Sequence, residues 1–74
     1  MRHWLKATID PNVRVRGNRT YVGIEDTWGQ HPPEVGQPVQ VRVAETTARG
    51  VGVVDAVDVE RGLVYLKVDW ASIR

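Results

Sequence analysis

The 74-residue chain contains no cysteine and no phenylalanine, and it has a single serine, Ser72, and a single methionine, Met1. Each shortage closes a route. Without thiols no disulfide or thiolate-bound metal can staple the fold, and nothing calls for an oxidising compartment. With no cysteine and its one serine near the C-terminal end, the chain offers poor material for nucleophilic catalysis. No stretch approaches the roughly eighteen apolar residues of a membrane-spanning helix, and the N-terminus lacks the charged-then-apolar layout of a signal peptide. The expectation is a soluble cytoplasmic protein with no membrane role. It forms one domain, near the length at which a single core supplies only a few kcal/mol of net stability.

What the chain has is valine, fourteen copies, punctuated by seven glycines and four prolines. β-Branched side chains favour the pleated, half-buried surface of a strand, and the glycines and prolines argue against long helices. The composition predicts an all-β fold. The net charge of +1 exerts no global pull toward nucleic acid, but its distribution is uneven. Residues 1–24 carry Arg2, Lys6, Arg14, Arg16 and Arg19 against Asp10 alone, whereas residues 25–60 carry seven acids against Arg42 and Arg49. A dipolar domain suits docking in a fixed orientation.

Period-two alternation marks the strands. Trp4 to Ile9 places Leu5, Ala7 and Ile9 on one face. Asp10-Pro11-Asn12 is a turn. Val13 to Ile24 reads as a hairpin with Gly17-Asn18 as a two-residue loop, which sets Arg16 opposite Arg19 and Val15 opposite Thr20. Its inner face is then Val13, Val15, Thr20, Val22 and Ile24, and its outer face Arg14, Arg16, Arg19 and Tyr21. Glu25 to Gln37 has two prolines in tandem and no periodicity, so it is expected as a long loop carrying Trp28 and His31. Pro38 to Ala44 turns Val39, Val41 and Val43 inward. Val51 to Asp58 and Leu63 to Trp70 pair through Val59-Glu60-Arg61-Gly62 with Gly62 in the left-handed position, in a register that sets Val59 against Leu63, Asp55 against Lys67 and Val57 against Tyr65. Val54, Ala56, Val64, Leu66, Val68 and Trp70 then share an apolar face. The tail from Ala71 to Arg74 closes with a 3-10 turn. Short, evenly spaced strands predict a small barrel, which also removes edges that would otherwise aggregate.

The segments Val35-Gly36-Gln37-Pro38-Val39-Gln40-Val41, Ala48-Arg49-Gly50-Val51-Gly52-Val53-Val54 and Gly62-Leu63-Val64-Tyr65-Leu66-Lys67-Val68 resemble the core of an SH3-like small barrel, in particular the KOW-type barrels of ribosomal and transcription proteins. Residues 34–70 carry the likeness. It implies an SH3-like, partly open barrel of five or six antiparallel strands that binds RNA or protein through its loops. The cluster of Lys and Arg common beside the KOW glycine is reduced here to Arg49. The small size, the excess of arginine over lysine and the ending Val68-Asp69-Trp70-Ala71-Ser72 also resemble accessory proteins of phages that infect high-GC actinobacteria, many of which bind a host protein.

The candidate binding residues are Arg14, Arg16, Arg19 and Tyr21, with Trp28 and His31 in the loop. Like charges directly opposed across strands destabilise a sheet, so an Arg16–Arg19 pair singles out its face. Arginines beside an aromatic suit an anionic protein patch or a nucleic-acid backbone. The alternative is a solvated strand face that keeps the protein soluble. Trp28 is either an exposed interface anchor or a cap on the barrel end, and Trp4 and Trp70 are expected in the core or at its rim. His3 and His31 lie far apart and the acids show no ligand spacing, so no metal or other cofactor is expected. Glu25 and Asp26 point to opposite faces of a strand, which does not suit joint acid–base work. The sequence therefore reads as a non-enzymatic module that docks a protein partner. A KOW-like nucleic-acid binder and a subunit of a virion or other assembly are the alternatives.

Overall fold

The structure, a computed structural model, describes residues 4–29 and 31–74; the expectations that fall on Arg2 and His3 lie outside them. Six strands form one sheet: β1 (Leu5–Ile9), β2 (Thr20–Gly23), β3 (Thr27–Trp28), β4 (Pro38–Val43), β5 (Arg49–Asp58) and β6 (Leu63–Asp69). Their spatial order is β2-β6-β5-β4-β1-β3. The two outermost strands, β2 and β3, are consecutive in the chain and separated only by a 3-10 turn, Ile24–Asp26. Four Cα steps from Gly23 to Thr27 span at most about 15 Å. The two edges of the sheet are therefore tethered close together, and the sheet must curl. The result is an all-β half-barrel with a second 3-10 turn, Trp70–Ser72, near the C-terminal end.

The alternation read from the sequence sorts the core. Leu5, Ala7 and Ile9 from β1, Val39, Val41 and Val43 from β4, Val54 from β5, and Val64, Leu66 and Val68 from β6 are all buried, with Val22 of β2 beside them. Ile24, Val57, Trp70 and Ile73 pack against this cluster from its margin. The turn at Asp10-Pro11-Asn12 forms as expected, with the Asn12 amide donating to Asp10 Oδ1 at 2.9 Å and the Val13 amide to the Asp10 carbonyl at 3.0 Å.

Four departures follow from long-range pairing. First, β1 runs parallel to β4, in register from Leu5–Val39 to Ile9–Val43, while the other strand pairs are antiparallel. The segment after β1 crosses over instead of turning back, so the expectation of wholly antiparallel strands fails at this pair. Second, Val13 to Arg16 is no strand. Val15 makes one isolated bridge, to Arg19 rather than Thr20, with its amide donating to the Arg19 carbonyl at 2.8 Å. Arg16 joins Gly17 (φ 82°) and Asn18 (φ 59°) in the loop, and Val13 and Val15 are only half-buried. Third, Asp58, not Val59, pairs with Leu63 across the turn, because the Asp58 carboxylate accepts the Arg61 amide at 3.1 Å; Gly62 takes its left-handed conformation at φ 65°. Fourth, a bulge between Val54 and Ala56 shifts the ladder, so Lys67 pairs with Val53 and Tyr65 with Ala56. Neither the Asp55–Lys67 nor the Val57–Tyr65 pair forms. The bulge lifts Asp55 out of the ladder.

Close approach of β5 and β6 explains one glycine. Gly52 lies between Val39 and Val68 in register, and a Cβ there would come within 2.6 Å of the Lys67 carbonyl oxygen and 3.0 Å of Val68 Cα. Among the described residues no helix is long and apolar enough to cross a membrane.

Candidate binding surface on the outer face

The residues expected on the hairpin face are brought together, though not as an opposed arginine pair. Arg19 Nη1 meets Asp55 Oδ2 at 2.6 Å, its Nε donates to the Arg16 carbonyl at 3.0 Å, and its guanidinium lies 5.4 Å from the Tyr65 ring. Arg14 stacks over Trp70 at 4.1 Å and donates to Asn18 Oδ1 at 3.2 Å. The Trp70 indole N–H donates to the Asn18 carbonyl at 3.0 Å. Tyr21 pairs with Tyr65 across strands, with ring centroids 5.9 Å apart. Asp55, which the bulge leaves out of the β5–β6 ladder, is the carboxylate that meets Arg19. Arg14 and Arg19 thus strap the segment before β2 onto β6 and the last 3-10 turn. Arg16 stays exposed at the loop tip.

Trp28 and His31 lie elsewhere, at the β3 end of the strand order. The expected long loop starts with structure: Ile24–Asp26 is a 3-10 turn, and Thr27–Trp28 pairs with β1, Trp28 opposite Lys6. Trp28 does not cap the barrel end, because its pairing with Lys6 places it on the outer face, 49% exposed; His31 is exposed in the loop that follows. Trp4 is also outside the core, 47% exposed, one residue before the alternation begins. Trp70 sits at the core rim as expected.

A second set of residues went unmarked in the sequence. Cross-strand register aligns Trp28, Lys6, Gln40 and Val51 in one row over β3, β1, β4 and β5. The neighbouring row is Thr8, Arg42 and Arg49. Arg49 and Arg74 exchange backbone hydrogen bonds at 3.0 and 2.9 Å, which extends that row to a third arginine. Together the rows bound a groove of about 470 Å³, lined by Lys6, Trp28, Gln40, Arg42, Arg49 and Val51, with Ser72 at its rim. Among the described residues three cations and no carboxylate line it. Among the described residues none of Lys6, Arg42 and Arg49 has an ion-pair partner; Asp55 is taken by Arg19, and Asp58 by Arg61 at 3.7 Å. Asp69, opposite Val51, lies outside the lining. Hairpin arithmetic reveals the pair: with Thr46 closing the β4–β5 turn through its bond to the Val43 carbonyl (3.0 Å), Val43 bonds Ala48 and Arg42 falls opposite Arg49.

No protein-family model matches this chain, and neither does any curated protein or solved structure. The half-barrel is compatible with an SH3-like fold, while neither KOW kinship nor a phage origin gains support. The fold and the site together define a small all-β half-barrel with a basic, partly aromatic groove on its outer face.

Proposed function

We propose that this chain is a non-enzymatic binding module that docks an extended anionic partner on the groove bounded by Lys6, Trp28, Arg42 and Arg49. The observation that carries this reading is the Arg42–Arg49 opposition. Like charges directly across a sheet are destabilising, and among the described residues neither Arg42 nor Arg49 has a carboxylate within ion-pair distance. A strand pair that keeps such repulsion gains from an anion that relieves it. An exposed tryptophan beside the cations supplies a large apolar face and a polar N–H for contact. The groove lacks the acid–base or nucleophile arrangement of an active site: its titratable side chains are lysine and arginine, and Ser72 donates its hydroxyl to the Asp69 carbonyl at 2.6 Å. Of the residues first singled out, Trp28 belongs to this surface, whereas Arg14 and Arg19 hold the scaffold.

The test is retention on immobilised polyanions of different chemistry, namely polyglutamate, a sulfated polysaccharide and an oligonucleotide. Wild type is expected to be retained on at least one and Arg42→Glu/Arg49→Glu to flow through, while Arg16→Glu elutes with wild type. Equal retention of wild type and the double reversal would move the binding surface away from the groove.

A further inference from the structure

We infer that the occupant of this groove is a single-stranded nucleic acid, its phosphates running past Lys6, Arg42 and Arg49 and one base stacked on Trp28. The inference rests on the groove reading above and names the partner class. Three features separate a nucleic-acid strand from an acidic peptide. The cations lie on two adjacent rows, Lys6 on one and Arg42 and Arg49 on the next, so they track a backbone rather than cluster around a point. Trp28 is flanked in register by Lys6, with Gln40 one strand further. It therefore presents a π face beside charge and not a sealed apolar pocket. Protein hot spots need the sealed pocket, whereas strand binding combines a positive groove with an aromatic platform. Gln40, between Lys6 and Val51, offers an amide donor and acceptor, the groups that bond base edges. A duplex hides its base faces in the stack and leaves Trp28 without a role, which selects the single strand.

The experiment is fluorescence anisotropy of the full chain with a labelled oligothymidylate of about 12 nucleotides, within the site size of small barrels, at about 50 to 200 mM salt. Three phosphate contacts predict a slope of log K on log salt of about −2. Arg42→Ala and Arg49→Ala are each expected to flatten that slope by about 0.7. Trp28→Ala is expected to weaken binding roughly tenfold at every salt with the slope unchanged, and Trp28→Phe to restore most of the loss. Circular dichroism and the melting midpoint establish that each variant is folded, and Lys6→Gln repeats the slope test should an arginine variant fail to fold. Polyglutamate competing as well as the oligonucleotide would overturn the nucleic-acid inference and leave the groove reading standing. So would tighter binding of a blunt duplex, or a Trp28→Ala variant that binds like wild type. Absence of binding to any polyanion at the lowest salt would overturn both.

Discussion

Thr20 is the sharpest place to test how the core is held. It lies on β2 opposite Leu66, is 0% exposed, and its buried Oγ1 has no hydrogen-bond partner among the described residues. An unsatisfied buried hydroxyl costs about 1–3 kcal/mol. Thr20→Val keeps the branched shape and replaces the hydroxyl with a methyl group, whose burial is worth about 0.8 kcal/mol. Taking the low end of the hydroxyl term, the variant is expected to be more stable by about 1.8 kcal/mol. For a domain of this length each kcal/mol moves the melting midpoint by about 4–8 °C, so the rise is roughly 7–14 °C. Urea unfolding followed by tryptophan fluorescence checks the sign independently: the midpoint should rise with the slope m unchanged. Thr20→Ser is the control. It keeps the hydroxyl and removes a buried methyl group, and is expected to lose about 1 kcal/mol. A valine variant that unfolds at lower urea than wild type would refute the reasoning, because it would mean that the hydroxyl is bonded in solution.

The Arg19–Asp55 pair is partly exposed, with side chains 30% and 39% accessible, so a double-mutant cycle with Arg19→Met and Asp55→Asn should return a coupling of only about 0.5–1 kcal/mol; zero coupling would mean the contact is not held in solution. Gly52→Ala drives a Cβ into the β6 backbone and is expected to cost about 1–3 kcal/mol. At Gly23 the atoms nearest an added Cβ belong to the Glu25 side chain, which can swing away, so Gly23→Ala should be close to neutral in the same thermal melt; equal costs would contradict the distinction. Trp70→Phe removes the indole donor to the Asn18 carbonyl and is expected to cost about 1 kcal/mol, measured by chemical denaturation.

The candidate site shows where sequence reasoning reaches and where it stops. The opposed arginine pair on the outer face is not the one that the Gly17-Asn18 turn suggests, because Arg19 bridges to Val15 and not to Arg16. Gly17-Asn18 does carry two positive φ angles, as a tight turn requires. Nothing local indicates that Arg16 joins the loop, and the carboxylate that holds Arg19 comes from Asp55, thirty-six residues away in the chain. The opposed pair is Arg42 and Arg49, drawn from the very segment whose composition is acidic. Its acids are not spread evenly in space. Asp55 and Asp58 neutralise Arg19 and Arg61, which leaves the two arginines of that segment uncompensated beside Lys6 from the opposite end of the chain.

Alternation along β1, β4 and β6 was enough to name almost every buried side chain, because the period of a strand is two whatever it pairs with. The turns at Asp10-Pro11-Asn12 and Gly62 were equally legible, since proline, aspartate and glycine act on their own backbone. Strand partners, the parallel pairing of β1 with β4, the bulge at Asp55 and the rows on the outer face were settled only in three dimensions. Alternation says which way a side chain points but not which strand lies beside it, and one shifted residue changes every cross-strand neighbour. The groove is built from such neighbours: Trp28, Lys6, Arg42 and Arg49 come from four strands, and folding alone sets them side by side.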